Sequence, residues 1–240
     1  MKHRNLGILF LSVIFSFSAF ASTLAITKTP TFIDPQNITL ETLPPPAADA
    51  ETKTRDLAIL MWEQNSRTYY DIERAWGSVT LEPSYFNQAL GVRFEEARYP
   101  KLYSLMKTVM ADARIFIDAF KVQYKRPRPY QDNKDIKPAI PIEESYSYPS
   151  GHGTRGMTLA LVYAEIFPDR HDQLLATGLS LGQDRIVGGV HYPSDIEGSV
   201  KLAQSLAKNI VASDAFKAQI KDAEAEIAQI KALVINANMN

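Results

Sequence analysis

Three short clusters of polar residues hold most of the chain's candidates for chemistry. They are Lys121 and Arg128, then Ser150-Gly151-His152, then Arg185, His191 and Asp195. Taken singly, each has an ordinary structural explanation. Cations near a helix end are often solvated, serine often caps a helix, and residues four apart on a helix often pair. Together they favour a site that binds and transforms a phosphate dianion.

The residue types match what a phosphate dianion requires, namely several cations and preorganised N–H donors. Lys121, Arg128 and Arg185 supply positive charge, and arginine binds phosphate oxygens bidentately. Ser150 and Gly151 are predicted at the start of a helix, where their backbone N–H groups, the Ser150 hydroxyl and the helix dipole favour an anion. Glycine at position 151 also lets the backbone approach the ligand closely.

Two histidines lie in these clusters, and they suit the two roles of an in-line displacement at phosphorus. His191 is the better nucleophile because Asp195 can hold its other ring nitrogen and fix the tautomer. His152 is the better general acid because it follows the phosphate-binding turn, and it would later activate water. An ordinary histidine pKa of about 6.5, raised further by bound phosphate, favours acidic pH. His171, beside Arg170 and Asp172, is expected on the surface.

Helices must position these clusters, because the hydrophobic pattern is helical from about residue 50 onward. The predicted helices cover residues 51–75, 83–90, 99–123, 153–167, 170–183, 193–212 and 214–234. Strand signals are scarce, so the predicted fold class is all-α, a single-domain helical bundle. The proline-rich stretch 126–149 predicts a long irregular loop between the first two clusters.

The last predicted helix carries apolar residues that alternate by four and three positions. They are Phe216, Ile220, Ala223, Ile227, Ile230 and Val234. This spacing is typical of a coiled-coil seam between subunits, or of a stripe that packs on its own domain. We favour packing on the same domain.

The N-terminal region has the features of a secretory signal peptide. A basic start at residues 2–4 precedes an apolar stretch and the small-x-small site Ala19-Phe20-Ala21. Cleavage is expected after Ala21, with Ala25 as the alternative, and an uncleaved membrane anchor is disfavoured because the apolar run is short. Residues 1–21 are therefore the predicted signal peptide, 22–50 an extended arm, and 51–240 the helical domain of a secreted protein without a membrane span.

Composition excludes several other function classes. The 240 residues carry a formal net charge of −1, so no global basic field is available to attract nucleic acid. The chain has no cysteine, which excludes thiolate zinc sites and cysteine nucleophiles. A metal held by His152, His191 and Asp195 is disfavoured by the cations around them. We expect no metal and no other cofactor.

The extended clusters resemble the signature of the PAP2 (type 2 phosphatidic acid phosphatase) superfamily. They read Lys121-x6-Arg128-Pro129, Pro149-Ser150-Gly151-His152 and Arg185-x5-His191-x3-Asp195. The family shares a helical fold with vanadium haloperoxidases. The chain is more closely similar to bacterial class A non-specific acid phosphatases, a similarity that extends to residues 43–46, 61–64 and 182–183.

This resemblance implies the same roles for the same residues. His191 is the nucleophile, His152 the acid and Asp195 the group that orients His191. Phosphate binding falls to Lys121, Arg128, Ser150, Gly151, His152 and Arg185. It also implies a periplasmic location, broad specificity for small phosphate monoesters, transfer of phosphate to alcohols, and a homo-oligomer.

Two departures from the family and three alternative functions stay open at this point. Asp184 stands where the family usually has serine, and it could compete for Arg185 or raise the pKa of a nearby histidine. Close relatives often carry cysteines, which this chain lacks. The alternatives are a vanadium-dependent haloperoxidase, a lipid phosphate phosphatase, and a phosphate-binding protein without catalysis. Tyr130, Tyr146 and Tyr148 could stack on a substrate, although packing of the loop is favoured.

Overall fold

The computed structural model describes residues 24–238, and side chains up to residue 235. The predicted signal peptide at residues 1–21 lies outside this range. The described residues form ten α-helices: α1 (Ala50–Ser66), α2 (Tyr69–Gly77), α3 (Asn87–Leu90), α4 (Pro100–Tyr124), α5 (Pro129–Asp132), α6 (Gly151–Ile166), α7 (His171–Val187), α8 (Pro193–Ala212), α9 (Asp214–Asp222) and α10 (Glu224–Asn238). No β-strand occurs between residues 24 and 238, so the predicted all-α fold class is confirmed. None of these helices is both long and apolar enough to cross a membrane.

The prediction of one helix over residues 51–75 is wrong, because the chain forms α1 and α2 there. The break is at Arg67 and Thr68, where a capping box starts the second helix. The Thr68 hydroxyl accepts the N–H of Asp71 at 3.3 Å, and the Asp71 carboxylate accepts the N–H of Thr68 at 2.9 Å. This reciprocal pair satisfies N–H groups that a new helix would otherwise leave free.

The helix predicted over residues 214–234 is also divided, into α9 and α10 on either side of Ala223. The apolar stripe nevertheless lies in the main core, where Phe216, Ala223, Ile227, Ile230 and Val234 are buried. Packing on the same domain is therefore confirmed as the role of most of the stripe. At the other side of α10, the Glu226 carboxylate accepts the N–H groups of Lys101 and Leu102 at the start of α4. A negative charge at that position interacts favourably with the positive end of the α4 helix dipole.

The main core is built around α4, which buries most of its apolar face. Its fully buried residues include Leu102, Met106, Val109, Phe116 and Phe120. Helix α6 packs against α4, α7 and α8, and so links the helices that carry the three clusters.

Helices α6 and α7 approach closely where α7 carries a glycine. A Cβ atom on Gly178 would lie 2.7 Å from the Cβ of Ala160 and 3.2 Å from the Cα of Met157. Only glycine permits this separation without a shift of one helix, since an added methyl group would overlap its neighbour. The close contact sets the distance between the N-terminus of α6 and the C-terminus of α7.

The segment before α1 lies along the helical core. Leu24, Phe32, Ile38 and Leu43 are buried in it. The buried carboxylate of Asp112 on α4 accepts the N–H groups of Thr31 and Phe32 at 2.8 and 2.7 Å. These bonds fix the segment to the central helix.

Candidate active site

The three sequence clusters lie at helix ends that meet around one buried site. Lys121 is in the last turn of α4, Arg128 precedes α5, and Ser150 caps α6. Arg185 is in the last turn of α7, and His191 lies just before α8. Every one of these side chains is buried.

His191 is held from both sides of its ring. Its Nδ1 atom is 3.1 Å from Oδ2 of Asp195, and its Nε2 atom is 2.9 Å from an Nη atom of Arg128. A guanidinium can only donate, so Nε2 is the acceptor and carries a lone pair. Nδ1 therefore carries the proton and donates it to Asp195. This is the tautomer that a nucleophilic Nε2 requires.

The surroundings of His191 keep the ring neutral. Its side chain is 1% exposed. Burial, together with the charges of Arg128 and Lys121, holds the pKa of His191 well below its usual value. The low pKa favours the neutral ring, in which Nε2 carries a lone pair.

Asp195 is itself fixed by three further donors. Its Oδ2 atom accepts the Tyr192 N–H at 2.9 Å and the Ser147 hydroxyl at 2.5 Å. Its Oδ1 atom accepts an Nη group of Arg126 at 2.7 Å. The carboxylate is thus held in position before it orients His191, which is the common arrangement of a base-orienting acid.

Arg126 connects Asp195 to a second buried carboxylate, Asp56 on α1. The guanidinium lies 3.1 Å from Oδ2 of Asp56 and stacks at 4.1 Å over the ring of Tyr192. Asp56 also accepts the N–H and hydroxyl of Ser194. Sequence reasoning missed both Arg126 and Asp56, because no local pattern indicates a contact across 70 residues.

Arg128 makes more contacts than the other cations of the site. Its Nε atom donates to the carbonyl of Ser145 at 2.9 Å, and one Nη atom donates to the carbonyl of Val190 at 3.0 Å. The second Nη atom donates to a carboxylate oxygen of Glu143 at 2.8 Å. These bonds fix the guanidinium plane beside Nε2 of His191.

Lys121 lies in the same buried region. Its ammonium group donates to the carbonyl of Tyr146. Burial, and the neighbouring charge of Arg128, lower the pKa of Lys121 to about 7. A bound phosphate dianion would oppose this shift and favour the charged ammonium.

Residues at the end of α2 and directly after it hold the Arg185 side chain in place. One Nη atom donates to the carbonyl of Ala75 at 2.7 Å and to the hydroxyl of Ser78. Its Nε atom is buried and has no hydrogen-bond partner among the described residues. A buried guanidinium N–H without a partner is costly unless a ligand uses it, which fits an oxyanion site.

The Asp184 side chain does not pair directly with Arg185, although the two residues are adjacent in sequence. Its carboxylate accepts Nε of Arg74 at 2.8 Å and the hydroxyl of Ser78 at 2.9 Å, and it is fully buried. It makes no direct hydrogen bond to Arg185 within residues 24–235. Asp184 is therefore linked to Arg185 through Ser78, whose hydroxyl contacts both side chains. In this position Asp184 helps to hold Arg185 and, contrary to the expectation from the sequence, does not compete with phosphate for it.

The start of α6 has free backbone donors, although not all those expected. The N–H of Ser150 is used by the Ser199 hydroxyl at 2.9 Å, and the Ser150 hydroxyl caps the N–H of Gly153 at 3.2 Å. The first intrahelical bond runs from Thr154 to the Ser150 carbonyl. The N–H groups of Gly151 and His152 precede it, so the helix itself offers them no acceptor, and they are candidates to bind an anion. A Cβ on Gly151 would meet nothing within 4 Å.

His152 is close to this turn but differs from the expected donor in its pKa. Its Nε2 atom donates to the carbonyl of Val79 at 2.9 Å, which leaves Nδ1 as the atom that can exchange a proton. Burial, with the charges of Arg185 and Arg155, lowers the pKa of His152 to about 4. The sequence analysis assumed an ordinary pKa, and the difference is due to desolvation and neighbouring guanidinium groups.

A carboxylate that sequence reasoning missed lies among these groups. Glu143 is on the 133–149 loop, with Oε2 at 2.8 Å from Arg128 and Oε1 at 3.9 Å from Nδ1 of His152. Burial raises its pKa, but the electrostatic effect of the surrounding groups, Arg128 above all, outweighs burial and lowers the pKa to about 2. The prediction of an irregular loop over residues 126–149 is wrong at residues 129–132, which form α5. Nothing in the sequence of the remaining loop indicates which of its acids faces the site.

The three tyrosines considered for contact with a substrate, one on α5 and two on this loop, divide between packing and exposure. Tyr148 is buried, and its hydroxyl donates to the Pro44 carbonyl at 2.9 Å. The hydroxyl of Tyr130 donates to the Glu143 carbonyl at 2.7 Å. Tyr146 is 41% exposed. The favoured packing interpretation holds for Tyr148 and Tyr130, and Tyr146 stays a candidate for contact with a substrate.

With this geometry in place, comparison with known proteins shows which family the chain resembles. A model of the PAP2 superfamily matches residues 103–216, a range that contains all three clusters. Over these residues the chain is similar to the PAP2 superfamily. The roles of the individual site residues stay predictions, and the geometry shows only that the eight residues converge.

Several proteins similar to this chain are acid phosphatases. The chain is 29% identical to the non-specific acid phosphatase of Providencia stuartii, over 70% of this chain and 69% of that protein. It is 33% identical to the acid phosphatase of Zymomonas mobilis, over 48% of this chain and 45% of that protein. It is 29% identical to the non-specific acid phosphatase of Salmonella typhimurium, over 50% and 52%. The chain thus spans about half of the last two proteins, and the expected similarity to non-specific acid phosphatases is confirmed.

Solved structures confirm the PAP2 fold. A transmembrane PAP2-type phosphatidylglycerolphosphate phosphatase from Bacillus subtilis aligns with a TM-score of 0.55 and 23% identity, over 68% of this chain and 86% of that one. A bacterial vanadium-dependent iodoperoxidase aligns with a TM-score of 0.54 and 21% identity, over 71% and 52%. At these identities the likeness concerns the fold alone.

Proposed function

We propose that this protein is an acid phosphatase that hydrolyses phosphate monoesters through a phosphohistidine formed on His191. The observation that carries the proposal is the unprotonated Nε2 of His191 beside Arg128, with Nδ1 fixed on Asp195. A neutral imidazole among cations is suited to attack a phosphorus atom whose oxygens those cations bind. The acid phosphatase relatives support the same reaction class.

In the first step the phosphate group of the substrate lies between Arg128, Arg185, Lys121 and the N-terminus of α6. Nε2 of His191 attacks phosphorus, the P–N bond forms, and the bond to the ester oxygen breaks. Nδ1 of His152 gives its proton to the departing alkoxide. Because the pKa of His152 is low in the free site, the substrate dianion must first favour its protonation.

In the second step His152 acts as a base. It removes a proton from a water molecule, the water oxygen attacks phosphorus, and the P–N bond breaks. The electron pair returns to Nε2 of His191. The cations of the site balance the charge of the inorganic phosphate until it leaves. An alcohol in place of water would give transfer of the phosphoryl group instead of hydrolysis.

The wider proposal includes specificity, location and assembly. We infer a broad range of small phosphate monoesters, because non-specific acid phosphatases are among the relatives. The signal-like residues 1–21 support secretion or a periplasmic location. A homo-oligomer is proposed from the family resemblance. Metal independence is proposed because the arginines and Lys121 supply the charge that a metal ion would otherwise provide.

Hydrolysis of p-nitrophenyl phosphate from pH 4 to 8 tests this proposal, with and without EDTA and vanadate. We expect activity on the acid side that survives EDTA and is blocked by vanadate, a phosphate mimic. His191→Ala should abolish turnover, and His171→Ala, at an exposed histidine, should not. Normal turnover in folded His191→Ala would rule out the nucleophile, and loss of activity in EDTA would reveal a metal site.

A further inference from the structure

Glu143 reaches into the site from a loop whose backbone is fixed nearby. The Tyr130 hydroxyl donates to the Glu143 carbonyl at 2.7 Å and accepts the Glu143 N–H at 3.2 Å. Four residues later, the N–H of Ser147 donates to the carbonyl of Arg126 at 2.8 Å. The position of residue 143 is therefore set by bonds that do not involve its carboxylate.

The carboxylate occupies space among the groups expected to bind phosphate. Its Oε2 atom accepts from Arg128 at 2.8 Å and from the Ser145 hydroxyl at 3.2 Å. Its Oε1 atom is 3.9 Å from Nδ1 of His152, the atom that would protonate the leaving group. The positive charges of Arg128 and Lys121 act on this carboxylate strongly enough to lower its pKa despite its burial, and His191 and His152 belong to the same cluster. These are the residues that a phosphoryl group would contact.

Glu143 accepts an N–H group of Arg128 through its Oε2 atom, and a phosphate oxygen bound to that N–H group would have to take its place. The Glu143 side chain is 41% exposed, whereas that of Arg128 is fully buried. Glu143 can therefore rotate toward solvent while Arg128 stays in place. A dianion competes better than a single carboxylate for three cations, since it carries the larger charge.

We propose that Glu143 occupies the phosphoryl position in the free enzyme and sets its affinity for phosphate groups, because every substrate must displace its carboxylate. This inference rests on the proposed function. It makes Glu143 an affinity-determining residue and assigns it no proton transfer. Inorganic phosphate, the product, must displace the same carboxylate, so Glu143 also weakens product inhibition.

The test compares Glu143→Gln with Glu144→Gln in the full protein. Glutamine keeps the size of the side chain and removes its charge, and Glu144 is an exposed neighbour. Binding of inorganic phosphate is measured by calorimetry, and hydrolysis of p-nitrophenyl phosphate gives KM and kcat. Thermal unfolding confirms that both variants are folded.

We expect Glu143→Gln to bind phosphate about tenfold more tightly, or about 1.4 kcal/mol. KM should fall in parallel without a rise in kcat, and Glu144→Gln should match the wild type. Unchanged or weaker phosphate binding by Glu143→Gln, with normal hydrolysis by the wild type, would overturn this inference alone. Failure of the wild type to bind or hydrolyse phosphate would overturn the phosphatase proposal as well.

Discussion

Replacing His152 with glutamine measures how strongly the empty site opposes protonation of this ring. The glutamine amide nitrogen can take the place of Nε2 and donate to the Val79 carbonyl, so the hydrogen bond at 2.9 Å is kept. The variant has no titratable group at this position. Any difference in the pH dependence of stability between the two proteins therefore belongs to His152.

The magnitude follows from the pKa of His152, which burial and the charges of Arg185 and Arg155 lower from 6.5 to about 4. Below pH 6.5 the unfolded chain binds a proton that the folded protein does not bind until about pH 4. The contribution of His152 to the free energy of unfolding is therefore fully present above pH 6.5 and is lost as the pH falls toward 4. A difference of roughly 2.5 pH units corresponds to about 3 kcal/mol.

Urea denaturation in phosphate-free buffer at several pH values from 4 to 7.5 provides the assay. Between the two ends of this range, the wild type should lose about 3 kcal/mol more than His152→Gln. His191 is present in both proteins, so its contribution cancels in the comparison. His171→Gln, at an exposed position, should follow the wild type. Added phosphate should reduce this difference between wild type and His152→Gln, because a bound anion stabilises the imidazolium form of His152. Parallel stability curves for wild type and His152→Gln would refute the reasoning.

Three further substitutions test the surroundings of the site. Asp195→Asn should lower kcat by about a thousandfold with little change in KM, because the His191 tautomer is no longer fixed; equal kcat values would contradict this. Asp184→Ser should raise KM, because Arg185 loses support, and should lower the free energy of unfolding by about 1–3 kcal/mol. The pH dependence of its activity should match that of the wild type. Gly178→Ala should lower the unfolding free energy by about 1–3 kcal/mol in a denaturant titration, and an unchanged midpoint would show that α6 and α7 can separate freely.

The parts of the fold that could be predicted are those with strong local signals. Helix α8 runs from Pro193 to Ala212, as predicted, because proline at the first helical position gives a sharp boundary. The pairing of His191 with Asp195 was also readable, since residues four apart meet near a helix start. The break before α2 had a local signal that was not used, the Thr68-x-x-Asp71 capping box.

The parts that could not be predicted depend on contacts between distant segments. Arg126 reaches Asp56 across 70 residues, and Glu143 enters the site from a loop without periodicity. The direction of the Asp184 side chain is set by Arg74 on α2 and by Ser78 directly after this helix, so its sequence neighbour Arg185 is a poor guide. The low pKa of His152 needs burial and nearby charges, and both exist only in the folded protein.

The central claim is a covalent phosphoryl group on His191, and trapping that group tests it most directly. The enzyme is mixed with excess p-nitrophenyl phosphate, quenched within milliseconds in alkali, in which the P–N bond survives, and digested for mass spectrometry. The account predicts one phosphoryl group on the peptide that contains His191, and none in the His191→Ala protein. A phosphoryl group on another residue, or continued turnover with no phosphopeptide at any quench time, would contradict it.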